Sequence, residues 1–151
     1  MIAMILYKRN GTPSVAGMTA PFTDVPDDTW YTDAVIWAYN CGVASGTSAT
    51  TFSPMANITR EQMMTMFYGY AVYMDYNTMA VADLSVFPDS GDVSYWAEVK
   101  LGWGVANSLI KGVQESDGVY LRPRATATRA EAAAILRSFD RWRAYAVVPG
   151  N

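Results

Sequence analysis

Two arginines occupy the same unusual place in this chain, the first turn of a predicted helix. Arg60 and Arg129 each follow a threonine and precede an apolar run with helical spacing. A helix N-terminus carries roughly half a positive charge, so a cation there is unfavourable by up to about 1 kcal/mol. A guanidinium beside free helical N–H groups suits an anion, especially a carboxylate. The alternative is that each arginine pairs with an aspartate of a neighbouring turn and only ties the structure together.

The threonines before these arginines begin two capping boxes. In such a box the threonine hydroxyl accepts from the third helical N–H, and the Gln or Glu three residues on bonds back to the cap. The cap residues are Thr59 with Gln62, and Thr128 with Glu131. The apolar runs that follow predict helices over residues 60–74 and 129–143.

The boxes belong to a longer internal repeat, the dominant pattern in the sequence. Matching positions lie 66 residues apart at Trp30 and Trp96 and at Gly46 and Gly112, and 69 apart at Pro54 and Pro123. The extra residues fall in the polar stretch 114–118, where an insertion costs little. We therefore predict complete repeats over 22–86 and 87–151, preceded over 1–21 by the C-terminal helix and linker of a truncated repeat.

Each repeat predicts two helices joined by a loop, so the expected fold class is mainly α. An aspartate-rich turn precedes the first helix, and its aspartates are explained by turn and capping chemistry. Tryptophans recur along this first helix. Trp30 and Trp96 are expected in the core, whereas Trp37 and Trp103 fit the core or a binding groove equally well.

Composition excludes several classes of function. The chain has 151 residues, is 51% hydrophobic and carries a net charge of −3, with no basic run to bind nucleic acid. It has no histidine and a single cysteine, so neither a Cys/His zinc cluster nor an internal disulfide is expected. The aspartates lack the spacing of a calcium loop, and no pair of facing carboxylates stands out. We expect no metal, no cofactor and no catalytic activity.

The N-terminal segment is apolar but lacks the order of residues that a signal peptide has. Lys8 and Arg9 follow the apolar run instead of preceding it, and the run is too short to cross a bilayer. We predict no signal peptide within this sequence and no membrane insertion.

The repeated residues resemble the S-layer homology repeat. The first copy carries Phe22-x-Asp24, Trp30, Gly42-Val43-x-x-Gly46, Phe52-x-Pro54 and Ile58-Thr59-Arg60-Glu61. The second carries Phe87-x-Asp89, Trp96, Leu109-Ile110-Lys111-Gly112, Pro123 and Ala127-Thr128-Arg129-Ala130-Glu131. The resemblance covers nearly the whole chain.

This resemblance implies a fold, a function and a location. Such modules usually come in threes, form a pseudo-threefold cluster of helical prongs, and hold bacterial surface proteins to the cell wall by binding secondary cell-wall polysaccharide. The ligand's pyruvate carboxylate is held by the motif arginine in a groove between repeats. Carried over to this chain, the groove residues are Arg60, Arg129, Gly46, Thr47 and Gly112. If Trp37 and Trp103 face the groove instead of the core, their rings would add stacking faces for sugars. The implied location is the bacterial cell surface.

Departures from the family pattern leave a second hypothesis open. Ser108 stands where the first copy has Gly42, and Val113 where it has Thr47. A truncated first repeat would leave a cluster face uncovered, including an apolar patch around Ile2, Ile5 and Leu6. The chain would then act as a structural module that self-associates, a homo-oligomer completing the cluster. An anchor, by contrast, should lose wall binding on Arg60→Ala while remaining folded.

Overall fold

The computed structural model describes residues 2–146, and the regular structure in this range is mainly helical, as predicted. The helices are α1 (Ile2–Arg9), α2 (Thr32–Asn40), α3 (Arg60–Tyr73), α4 (Glu98–Ala106) and α5 (Arg129–Arg143). Strands β1 (Val113–Gln114) and β2 (Val119–Tyr120) form an antiparallel hairpin. Short 3-10 helices cover Leu84–Val86, Ser90–Asp92 and Tyr95–Ala97. The hairpin occupies the stretch that the sequence marked as an insertion.

Tertiary contacts divide the chain into two compact units, Met1–Ala56 and Asn57–Asn151. The dividing point lies in the loop before α3. The first unit contains α1 and α2, and the second contains α3, α4 and α5. The repeat boundaries predicted at 22 and 87 were drawn from the repeated sequence, whereas these two units are defined by contacts. The repeat boundaries therefore stay a prediction.

In the first unit, α1 packs against α2. Ile2 and Leu6 are only 5% and 0% exposed, and the ring centroid of Tyr7 lies 5.7 Å from that of Trp37. Burying these side chains removes their apolar surface from water. The expectation of an uncovered apolar patch on this helix is therefore wrong.

The tryptophans that are buried are not the ones that the sequence analysis expected in the core. Helix α2 begins at Thr32, after Trp30, and Trp96 lies in a 3-10 turn before α4. Trp30 and Trp96 are 56% and 46% exposed, so the expectation that they belong to the core is wrong. Trp37 and Trp103 are 1% and 0% exposed. A ring within the helix shares its buried face, whereas a ring before the helical start does not.

The second unit is held by contact between α3 and α4 and by a group of aromatic rings. Its members are Phe67, Tyr70, Tyr76, Trp103, Phe139 and Trp142. Trp142 Nε1 also donates to Asn107 Oδ1 at 2.8 Å. Phe139 brings α5 into this cluster, which fixes α5 relative to α3 and α4.

The two copies end their first helices in the same way although their residues differ. Gly42 has φ +69° and Ser108 has φ +56°, so both turn the chain in the left-handed region. That region costs a non-glycine residue about 1 to 2 kcal/mol. The serine therefore strains the second copy slightly but leaves its backbone path unchanged.

A carboxylate holds the loop of each repeat in shape. Asp24 accepts from the backbone N–H groups of Phe52 and Ser53 at 2.8 and 2.7 Å. In the second copy, the carboxylate of Asp89 accepts from Leu121 N–H and Arg122 N–H in the same manner, at 2.8 and 2.6 Å. The expectation of turn and capping roles missed this link, which joins segments about thirty residues apart in the sequence.

Replacing Asp24 by asparagine should make stability less dependent on pH. The N–H groups of Phe52 and Ser53 hold the pKa of Asp24 below its usual value. The ionised carboxylate therefore stabilises the fold above the unfolded-state pKa of about 3.9, and this contribution disappears as pH falls through the folded-state pKa. An amide has one acceptor oxygen, so one N–H loses its partner.

Thermal unfolding of wild type and Asp24→Asn at several pH values checks this. Wild type should melt at a higher temperature than the variant at pH 7, and the gap should close towards pH 3. A gap of constant size would contradict the proposed role of the charge.

Candidate functional site

The side chain of Arg60 is almost completely buried. Arg60 is the first residue of α3 and is 4% exposed. Its Nε donates to the carbonyl of Leu121 at 2.9 Å and its Nη2 to the carbonyl of Lys111 at 2.7 Å, while Nη1 pairs with the Glu131 carboxylate. Three of the five guanidinium N–H donors are engaged in this way.

The backbone at the start of α3 is also occupied. The N–H of Arg60 donates to the Ala125 carbonyl at 3.0 Å, and the N–H of Glu61 donates to the Pro123 carbonyl at 2.9 Å. The third N–H is capped by Thr59. These are the donors that a helix usually leaves unsatisfied. The free helix end expected beside Arg60 is therefore closed by the loop of the next repeat.

Arg60 forms an ion pair within the protein, as the structural alternative to anion binding expected, but its partner differs from the expected one. The carboxylate comes from Glu131 of the second capping box instead of an aspartate in a turn. Glu131 Oε2 also accepts from Thr128 N–H at 2.8 Å, and Glu131 N–H donates to Thr128 Oγ1 at 3.1 Å. The bond from Thr128 N–H, with help from the Thr128 hydroxyl and Arg60, holds the pKa of Glu131 below its usual range.

Both predicted capping boxes form. In the first, Thr59 N–H donates to Gln62 Oε1 at 2.9 Å, and Gln62 N–H donates to Thr59 Oγ1 at 3.2 Å. The box at Thr128 repeats this geometry with a glutamate. Only the second box carries a charge, and this charge is the one that Arg60 meets.

An open groove of about 340 Å³ lies beside this ion pair. Its lining residues are Arg60, Ser108, Leu109, Ile110, Lys111, Gly112, Val113, Glu131, Ala134, Ile135 and Ser138. The groove thus brings together Arg60 and Gly112 of the expected binding residues. It also contains Lys111, an exposed cation that sequence reasoning did not select. Its position directly before the motif glycine was a usable signal.

The motif glycines are required by close packing. A Cβ on Gly46 would lie 2.5 Å from Phe22 Cε1, and the residue has φ +82°. A Cβ on Gly112 would overlap Val119 and press on Phe87. Each glycine therefore lets an aromatic ring cover the loop, and in the second copy this fixes the backbone along the groove.

The remaining predicted site residues lie elsewhere. The side chain of Arg129 is exposed and forms no hydrogen bond or ion pair with any part of the chain that the structure describes. Gly46 and Thr47 belong to the loop of the first unit, where Thr47 Oγ1 lies 2.7 Å from Ser53 Oγ. Trp37 and Trp103 are buried and present no ring face to a sugar. Of the predicted binding residues, only Arg60 and Gly112 therefore line the groove.

Among residues 2–146, the His, Cys, Asp and Glu side chains form no group of three or more that could hold a metal ion. No helix in this range is both long enough and apolar enough to span a bilayer.

Comparison with known proteins identifies relatives of this chain. A model of the S-layer homology domain matches residues 21–64. The surface-layer 125 kDa protein of Lysinibacillus sphaericus is 34% identical over 115 residues, which cover 76% of this chain and 9% of that protein. The exoglucanase XynX of Acetivibrio thermocellus is 33% identical over 116 residues, which cover 76% of this chain and 10% of that protein.

A solved structure also aligns with the chain. It is the undecaheme cytochrome from the S-layer of Carboxydothermus ferrireducens, with a TM-score of 0.45 and 14% identity over 95% of this chain and 20% of that one. In each of these three comparisons, the chain spans a fifth or less of its relative.

Proposed function

The chain belongs to the S-layer homology family, and from this we propose that it holds a protein non-covalently to the bacterial cell wall by binding wall polysaccharide. The relatives support this role because a surface-layer protein and an exoglucanase each match this chain over only about a tenth of their own length. A segment found beside different partner domains is expected to place them, not to catalyse their reactions. The proposed place of action is the cell surface.

The ligand that we propose is an anionic, pyruvylated secondary cell-wall polysaccharide. The observation that carries this proposal is the groove beside Arg60, because it combines cations with hydroxyl groups. Lys111 offers an ammonium group on its rim, and Ser108 and Ser138 lie along it. Arg60 contributes its two remaining N–H donors, although Glu131 offsets its charge. A carboxylate on a sugar ring would find charge-assisted donors here.

Three of the other predicted ligand contacts remain part of the proposal, and two are left out. Gly46 and Thr47 line the equivalent loop of the first repeat, and Arg129 is the equivalent arginine at α5. We leave out Trp37 and Trp103 because a buried ring cannot stack on a sugar. The proposed site in the second unit thus consists of Arg60, Lys111 and the backbone at Gly112.

Reversing the charge at Lys111 tests the proposed groove directly. Lys111→Glu should weaken binding to purified wall polysaccharide by about tenfold or more, because a repelling charge replaces a charge-assisted contact. The Lys111 side chain is exposed, so the variant should keep its fold. Binding is measured by cosedimentation with isolated wall sacculi and by calorimetry with the released polymer.

Arg124→Glu is the matched control, since it makes the same charge change at an exposed position that does not line the groove. It should bind like wild type. Equal weakening by both variants would show that only net charge matters. Unchanged binding by Lys111→Glu would show that the polymer binds elsewhere.

A further inference from the structure

We propose that Glu131 competes with the ligand for Arg60 and thereby shifts the selectivity of the groove towards singly charged anionic groups. This role rests on the proposed function, because it concerns which anions the groove accepts. Two observations carry it. One is the ion pair between Arg60 and Glu131 at the groove, and the other is the neutral residue that takes the place of Glu131 in the first capping box.

The groove is less positive than its cations alone would make it. Among the described residues, the charged side chains that line it are Arg60, Lys111 and Glu131. Two cations and one carboxylate leave one net positive charge, where the cations alone would give two. Glu131 is ionised at neutral pH, because the bond from Thr128 N–H, with help from Arg60, holds its pKa below its usual range.

The Glu131 carboxylate already occupies part of the surface that a ligand carboxylate would seek. Its Oε1 pairs with Arg60 Nη1, and both side chains line the groove. The Glu131 side chain is 32% exposed and that of Arg60 only 4%, so a ligand reaches the carboxylate more readily than the guanidinium. An anion that approaches the remaining N–H donors of Arg60 therefore also approaches a like charge, which repels it.

The negative charge of Glu131 is not needed to form the cap. In the first box, Gln62 Oε1 accepts from Thr59 N–H at 2.9 Å, and Gln62 N–H donates to Thr59 Oγ1 at 3.2 Å. The corresponding bonds between Glu131 and Thr128 are 2.8 and 3.1 Å long. A neutral side chain thus makes the same two bonds. What the charge adds at the second box is the pairing with Arg60.

The repulsion by Glu131 depends on the charge of the ligand group. Coulomb energy is proportional to that charge. A pyruvate ketal carries one negative charge, whereas a phosphate monoester carries nearly two at neutral pH. Glu131 therefore weakens the binding of a phosphate monoester more than that of a ketal. We expect it to favour polymers whose anionic groups are single carboxylates.

Calorimetry on wild type and Glu131→Gln tests this role with two probes. The probes are a methyl glycoside that carries a pyruvate ketal and the same glycoside with a phosphate monoester. The variant should bind the ketal about threefold more tightly than wild type does. It should bind the ester about tenfold more tightly, since doubling the charge squares the fold-change.

Glu115→Gln is the matched control. Glu115 also pairs with an arginine, at 2.7 Å from Arg122 Nε, and its side chain is 30% exposed, but it does not line the groove. The substitution makes the same change in net charge. Salt at physiological strength screens charges beyond about 8 Å. The affinities for both probes should therefore stay within about twofold of wild type.

The outcomes separate this role from wall binding as such. Wild type that binds the ketal, with no gain or an equal gain for both probes in Glu131→Gln, would overturn the role of Glu131 and leave the proposed ligand in place. Equal gains in Glu115→Gln would also overturn it. Failure of both wild type and Glu131→Gln to bind the ketal would contradict the proposed ligand and this role together.

A measurement on wild type does not depend on the stability of the variant. Glu131→Gln leaves Arg60 without its counterion, so it should be less stable, and circular dichroism verifies that it is folded. In wild type labelled with carbon-13 at the glutamate carboxyls, the NMR resonance of Glu131 should shift when the ketal is added, and that of Glu115 should not. An unchanged Glu131 resonance with the ketal bound would overturn the competition for Arg60.

Discussion

Arg60→Ala is expected to destabilise the protein by about 3 kcal/mol. The substitution leaves the Glu131 carboxylate without its cation and leaves the carbonyls of Lys111 and Leu121 without donors. Removing one member of a buried pair costs about 3 to 5 kcal/mol. The lower end applies because Glu131 is about a third exposed and can regain water. Urea unfolding followed by circular dichroism measures the loss.

Arg129→Ala is the matched control, since it changes the same residue at the same helix position. Its side chain is exposed, so unfolding should shift by less than about 0.5 kcal/mol at protein concentrations where the chain is monomeric. Similar effects of the two substitutions would show that the Arg60 network contributes little. Wild-type stability in Arg60→Ala would instead fit the expectation from the sequence that this variant loses wall binding while remaining folded.

The burial of Arg60 also affects how binding data are interpreted. An Arg60 variant that fails to bind the wall can fail because its fold is weakened, not because a ligand contact is lost. Lys111 has no such structural role for its side chain among the described contacts. Substitutions at Lys111 therefore separate binding from folding, which substitutions at Arg60 cannot do.

Gly46→Ala should also destabilise the protein by about 3 kcal/mol. The new Cβ would lie 2.5 Å from Phe22 Cε1 and 2.6 Å from the Thr51 carbonyl oxygen. Overpacking of this kind costs about 1 to 3 kcal/mol. The left-handed backbone at φ +82° adds about 1 to 2 kcal/mol for any residue with a Cβ. Thermal or urea unfolding measures the total.

Gly17→Ala separates the two causes. Gly17 has nearly the same φ, +80°, but a Cβ there would meet nothing within 4 Å. It should cost only the backbone strain, about 1 kcal/mol. The difference between the two variants measures the contact with Phe22 and Thr51. Equal losses would show that the aromatic ring moves aside freely and that the close packing is unimportant.

The local signals in the sequence predicted local structure well. The capping boxes predicted helices over 60–74 and 129–143, and the structure has Arg60–Tyr73 and Arg129–Arg143. A box fixes the first residue because its two hydrogen bonds lie within four positions of the chain. The first helix of each repeat has no box, and Trp30 and Trp96, which we expected along it, lie before its first residue.

The burial of Arg60 was not predictable in the same way. Its partners lie 51, 61 and 71 residues further along the chain, and two of them are backbone carbonyls. A carbonyl group is present at every residue, so it leaves no trace in the sequence pattern. The link from Asp24 to the loop at 52–53 was missed for a similar reason, because its partners are backbone N–H groups, which nearly every residue also has.

The internal repeat predicted which positions of the two copies correspond, which the capping and turn patterns of a single copy could not do. It placed Arg60 and Arg129 in equivalent positions, and each of them begins a helix after a threonine capping box. It also paired Gly46 with Gly112, but of these two only Gly46 has a positive φ, +82°. The two arginines nonetheless differ in their surroundings. Equivalence in sequence therefore predicted the two capped helix starts, whereas the burial of each arginine depends on which neighbour is present.

The most direct test of wall anchoring is cosedimentation of the wild-type chain with isolated sacculi before and after chemical removal of the pyruvate groups from the polysaccharide. The account predicts strong binding to intact sacculi and a loss of most of it after removal of pyruvate. Equal binding to both preparations would contradict recognition of the anionic group. Absence of binding to intact sacculi by folded protein would contradict the proposal that this chain is sufficient as an anchor.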